Sequence, residues 1–166
     1  LEKPVNFGIR INDYDKSILS VFADAPEDAA KVPRKGDSGV LYVDGWIDPP
    51  GEDGTIVVDD SIREVYIAPG AVLNARLVVK SAGAYVHGRG MILDPFSDVF
   101  RFDQKKNTKR GFLNVHAPNV TVEDVKLVDS RTFNFMSWRH NVMLRNVKAL
   151  SSMMCSDGIT CGGTDF

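Results

Sequence analysis

The sequence predicts an all-β protein: a right-handed parallel β-helix, incomplete at its C-terminus and preceded by a short β module or cap. Three observations predict it. Almost no helical pattern is present; short runs of Val, Ile, Leu, Tyr and Phe alternate with Gly, Asn, Asp and Pro. The later strands repeat: "NVTVEDVKLVDS" (119–130) lies over "NVMLRNVKALSS" (141–152) at an offset of 22, with five of twelve positions identical. "REVYIAPGAVL" and "GAYVHGRGMIL" look like two more copies, about 20 residues apart. A period of roughly 20–50 residues marks a solenoid, whose units bury their apolar faces only against their neighbours.

In chain order, "VNFGIRI" and "SILSVFA" are two strand-like pieces joined by "NDYDK", a hairpin outside the repeat. "PEDAAKVPRKG" has room for one short helical turn between prolines. Residues 1–36 therefore read as the end of an N-terminal β module or cap with its linker, and 37–166 as the first coils of the solenoid. The strands there are "GVLYVDG", "TIVVDD", "EVYIAPG", "ARLVVK", "AYVHGRGMIL", "NVTVEDVKLV" and "NVMLRNVKAL". No leucine-rich frame is present, and the apolar bursts between polar corners suit a β-helix. Asn119 and Asn141 head the aligned repeats. Asn tolerates left-handed backbone and bonds its own chain. Two readings stand for the pair, a hydrogen-bonded ladder and two independent turn residues.

A loop insertion at about 95–112 interrupts the repeats and carries Arg101, Lys105, Lys106, Lys109 and Arg110. It reads either as a solvated loop or as a loop over a groove for an anionic or polyhydroxylated ligand, since solenoid insertions often lie on the binding face.

At 166 residues and 18.3 kDa, the chain has the size of one domain. A net charge of −2 and pI near 5.9 argue against a general nucleic-acid binder. No apolar run approaches the roughly 18–20 residues of a membrane span. "LEKPVNFG" has no apolar core of a signal peptide, and a processed secreted protein would look the same. Cys155 and Cys161 are too few for a disulfide framework; they read as buried free thiols or as one bridge closing a short loop. No zinc spacing surrounds them, and no metal or cofactor is expected. Glu52, Asp53, Asp59 and Asp60 read as edge and turn residues rather than a calcium site.

"VYIAPGAVLNARLVVKSAGAYVHGRGMILD" resembles the opening coils of pectin-lyase-fold glycoside hydrolases, the polygalacturonases of family 28 and the dextranases and isopullulanases of family 49. "NVTVEDVKL" resembles their "NVTIxNVTI" stretch. "SWRHNVMLRNVKALSSMMCSDGI" resembles their "NCxNVxIxNVxIxxxxxxNTDGID" segment. "SVFADAPEDAAKVPRKGDSGVLYVDG" is similar to the link after a leading β-sandwich in some bacterial members. The likeness covers roughly residues 18–163. It implies a secreted or periplasmic inverting hydrolase of a polysaccharide or oligosaccharide that uses three aspartates. The first falls on Asp157. The other two belong to the next coil, so more of the polypeptide is expected beyond Phe166, and the piece alone is expected to be inactive. Asp165 sits where that coil's corner should begin and takes no catalytic role.

An inverting glycosidase needs one carboxylic acid and one carboxylate roughly 6.5–9.5 Å apart, which stacked coils about 4.8 Å apart can supply. Asp157 would act as, or assist, the general base. Without the resemblance, its Asp-Gly step reads as a turn. Trp138, Arg139 and His140 follow the strand one coil earlier; Trp138 reads as a sugar-stacking platform or a core residue, and the Arg-His step as hydroxyl-binding groups or a solvated corner. Arg131 is a further substrate-binding candidate. His87 reads as a structural turn residue, and His116 has no partner nearby in sequence. Two alternatives accompany the hydrolase, a non-catalytic carbohydrate-binding or adhesin-like β-helix and a polysaccharide lyase of the same fold.

Overall fold

The structure, a computed structural model, describes residues 4–10, 18–48, 54–94, 112–130, 132–151 and 157–163. The chain divides into two compact units, Leu1–Lys31 and Val32–Phe166.

The first unit is an antiparallel pair, β1 (Val5–Arg10) and β2 (Ile18–Ala23), followed by a single 3-10 turn at Ala29–Lys31. Asp28 starts that turn, its carboxylate accepting from the Ala30 amide at 3.0 Å. Val5 pairs with Ala23, Phe7 with Val21 and Ile9 with Leu19, so one face of the ribbon is wholly apolar.

The second unit is a parallel β-solenoid of about four turns. Its strands are β3 (Val40–Val43), β4 (Trp46–Ile47), β5 (Thr55–Val58), β6 (Glu64–Ile67), β7 (Val72–Asn74), β8 (Arg76–Val79), β9 (Tyr85–Gly88), β10 (Met91–Leu93), β11 (Leu113–Val115), β12 (Thr121–Glu123), β13 (Lys126–Val128), β14 (Phe135–Ser137), β15 (Met143–Arg145), β16 (Lys148–Leu150) and β17 (Ile159–Cys161). Every third strand stacks, giving three five-stranded parallel sheets. The first holds β3, β6, β9, β12 and β15, the second β4, β7, β10, β13 and β16, and the third β5, β8, β11, β14 and β17.

Each strand is short because the chain must turn a corner before a second pleat is complete. Its inward residue joins a column of like residues. In the first sheet the column is Leu41, Val65, Val86, Val122, Leu144; in the second, Ile47, Leu73, Ile92, Leu127, Ala149; in the third, Ile56, Leu77, Leu113, Phe135, Ile159. The middle three members of each column are fully buried in one continuous core. Each contributes about 1.5–3 kcal/mol through burial.

Corners are set by local chemistry. Asn119, Asp124 and Asp129 all have positive φ (61°, 66° and 52°), five residues apart, bracketing β12 and β13. Asn141 and Asn146 repeat the first two one coil later, each with φ 53°. The Asn pair forms the ladder: Asn141 Nδ2 donates to Asn119 Oδ1 at 2.7 Å. A second rung, Asn146 Nδ2 to Asp124 Oδ1 at 2.6 Å, lies at the next corner.

The earlier pair of repeats is uneven. Glu64 pairs with Tyr85, 21 residues on, but Val72 with Met91, only 19 on. The corner "APGA" between β6 and β7 is replaced by "RG" between β9 and β10. The shorter corner hugs the longer one: a Cβ on Gly90 would strike the Ile67 side chain and the Ala68 and Ala71 carbonyls.

Candidate functional site

Just past the ends of the third-sheet strands, one residue from each coil forms a row. Val58, Val79, Val115, Ser137 and Cys161 stand in register, so Asp59, Lys80, His116, Trp138 and Gly162 follow in register. The backbone ladder runs on through them: the Lys80 amide donates to Val58 O at 2.7 Å, His116 to Val79 O at 2.8 Å and Gly162 to Ser137 O at 3.0 Å. Trp138 is 63% exposed, which rules out its core reading. Its six-membered ring edge lies against Gly162, where no side chain competes for the space.

Beside the Trp138 ring is a pocket of about 180 Å³ lined by Asn114, His116, Met136, Trp138 and Arg139, among others. Ser137 holds its floor, donating from Oγ to Val115 O at 3.2 Å and accepting from the Arg139 amide at 3.2 Å. Partial desolvation of the exposed His116 ring lowers its pKa, and the charges of Arg139, Lys80 and Arg76 lower it further, in that order. A neutral imidazole beside three cations offers one donor and one acceptor near neutral pH. The cations themselves attract anionic groups.

Asp157 stands on the other side of this sheet. Its carbonyl accepts from the Asn134 amide at 2.8 Å and from Asn134 Nδ2 at 3.2 Å, which fixes the backbone at the start of β17. The side chain is exposed. Trp138 is level with Gly162, five residues beyond Asp157, or about 16 Å along the strand. The structure therefore brings Trp138 and Arg139 together with His116 but sets Asp157 apart. β11, β14 and β17 carry no Asp or Glu. His140 is exposed and has already turned the corner, its carbonyl accepting from the Asn119 amide at 3.4 Å. Arg131, Cys155, Glu52, Asp53 and nearly all of the 95–112 insertion lie outside the described residues, while Cys161 is an exposed free thiol. Among the described residues no group of three or more His, Cys, Asp or Glu side chains could hold a metal ion.

A second polar cluster, on the outer face of the first sheet, was not expected from the sequence. His87 is not at a turn but within β9, 3% exposed. Its Nε2 lies 2.7 Å from Glu64 Oε1, and its ring stacks on Tyr85 at 3.9 Å and 4°. Tyr85 donates to Glu123 Oε2 at 2.6 Å, and Arg145 reaches Glu123 Oε1 at 3.3 Å. Burial and the Glu123 carboxylate push the Tyr85 pKa well up, so it stays a donor. These groups satisfy one another across four coils, which suits a clamp on the stack better than a reactive centre. The available signal was the polar and aromatic residues at alternate positions of "EVY", "YVH" and "TVE".

Comparison with protein families, with curated proteins and with solved structures returns no match to the chain.

Proposed function

We propose that this chain is part of a secreted or periplasmic polysaccharide-degrading protein, a glycoside hydrolase of the pectin-lyase-fold kind, that holds its glycan along the third sheet. The observation that carries this reading is the exposed Trp138 ring at the mouth of a pocket lined with His116, Arg139 and Asn114. A pyranose presents a C–H face to such a ring and hydroxyls to the polar groups around it. Asp157, exposed just before the next strand of the same sheet, is proposed as the general base of an inverting pair. At about 16 Å from the platform it would act on a different sugar of the same chain from the one Trp138 holds.

A non-catalytic glycan-binding β-helix is the second reading. It needs only the exposed Trp138 ring and the polar groups beside it.

Electrophoresis through gels containing soluble polysaccharides, paired with an assay for released reducing ends, tests both. The proposal expects retardation by at least one polysaccharide, weakened by Trp138→Ala. It assigns any hydrolysis to Asp157, so Asp157→Asn should abolish it while leaving retardation intact. Retardation without hydrolysis by the full natural polypeptide selects the binding module. No retardation by any acidic or neutral glycan overturns both.

A further inference from the structure

We infer that Trp46, Asp48 and Asn74 form a second sugar-binding site, on the outer face of the second sheet, that takes a neutral pyranose. The inference rests on the glycan-binding reading above but uses none of the same residues.

The chain has two tryptophans. Trp138 is accounted for by the third-sheet pocket. Trp46 is 60% exposed, an unusual place for the largest apolar side chain. Its position follows from the strand. Ile47 packs against the core, so Trp46 and Asp48, on either side of it, project outward. Ile47 pairs with Leu73, which brings Asn74 alongside Asp48.

The three side chains are joined. Trp46 Nε1 donates to Asp48 Oδ1 at 2.8 Å, and Asn74 Nδ2 donates to the same oxygen at 2.7 Å. The indole is thus held in one orientation while its face stays in water. An anchored, open ring has its ordering cost met before a ligand arrives. Both bonds fall on Oδ1, and Asp48 Oδ2 has no partner among the described residues. The bonds from Asn74 and Trp46 hold the Asp48 carboxyl below its ordinary range, so it remains an ionised acceptor.

This arrangement matches a pyranose in two ways. The ring face meets the sugar's C–H face, and Asp48 Oδ2 with the Asn74 carbonyl oxygen accepts from hydroxyls at its edge. An ionised carboxylate at that edge repels a uronate, which sets the class as neutral. The third-sheet pocket, with Arg139, Lys80 and Arg76 around His116, has the opposite polarity.

Two tryptophans make the sites separately visible. Trp138→Phe leaves Trp46 as the only indole; Trp46→Phe leaves Trp138. Each variant, checked for unchanged circular dichroism, is titrated with maltohexaose, cellohexaose, isomaltohexaose and a hexagalacturonate while tryptophan emission is read. The inference expects saturable change in the Trp46 signal with a neutral hexaose, none with the hexagalacturonate, and a Kd at least fivefold weaker when Asp48→Ala is added. A response from Trp138 alone overturns the second site and leaves the third-sheet reading standing. A response from Trp46 alone supports the second site and removes the third-sheet pocket as a glycan site. Silence from both overturns both. A Trp46 response unaffected by Asp48→Ala, or seen equally with the hexagalacturonate, overturns the site as assigned.

Discussion

Asn141 Nδ2 donates to Asn119 Oδ1 at 2.7 Å, and both residues hold left-handed backbone, with φ 53° and 61°. The two facts are separable. The conformation excludes most side chains at a cost of roughly 1–2 kcal/mol for an ordinary L-residue. The bond adds about 0.5–1.5 kcal/mol. Asn119→Ala loses both and is expected to destabilise the protein by about 2–3 kcal/mol. Asn119→Gly keeps the conformation and should lose about 1 kcal/mol. Urea denaturation of the two variants checks this; equal losses would mean that the bond, not the backbone, sets the corner.

Glycine at Gly88 answers a different demand. It has φ 121°, and a Cβ there would overlap the Ile67 backbone on the neighbouring strand. Backbone cannot step aside as a side chain can, so Gly88→Ala should cost about 3 kcal/mol or more. Gly83 has φ 73° but open space around it. Gly83→Ala should therefore cost only the conformational term, about 1–2 kcal/mol. Matching denaturation midpoints for the two variants would contradict the close approach of β9 to β6.

The parts legible in the sequence were those written in adjacent coils of equal length. Residues 119–130 and 141–152 align without a gap, so their strands follow from one offset, while the choice between a ladder and two independent turns for the Asn pair needed the structure. The Lys80, His116, Trp138 row was not legible, because Val79 reaches its partner Val115 across a 36-residue coil that contains the insertion. β4, β11 and β17 have two or three residues each, too few to show alternation. The Glu64–His87 pair and the Tyr85–Glu123 bond join coils 23 and 38 residues apart, and only the stacking register brings them together. The sequence singles out Asp157 as a candidate, but its place about 16 Å along the strand from Trp138 follows only from the strand direction.

His116 should titrate below its ordinary value of 6.5, with burial and the nearby cations as the cause. Below 6.5 the unfolded chain then binds more protons than the folded one. The contribution of this residue to stability is therefore complete above pH 6.5 and falls as pH drops toward the folded-state pKa. Histidine ring resonances followed by NMR give the midpoint directly. Arg139→Gln removes the largest of the charge effects and should move the midpoint upward. A midpoint at or above 6.5 in the parent protein would remove the charges of Arg139, Lys80 and Arg76 from the account of the pocket.

Gly162 links the fold to the platform. A Cβ at this position would run into the six-membered ring of Trp138. The obstacle is an exposed side chain, free to swing into water, so Gly162→Ala should change stability by less than about 1 kcal/mol. The ring, however, can no longer keep its edge against the strand at this position. Glycan retardation should fall as far in Gly162→Ala as in Trp138→Ala, and the double variant should add nothing further. Full retention of binding in Gly162→Ala, with Trp138→Ala still impaired, would show that the orientation of the ring over the next coil is irrelevant to the sugar it holds.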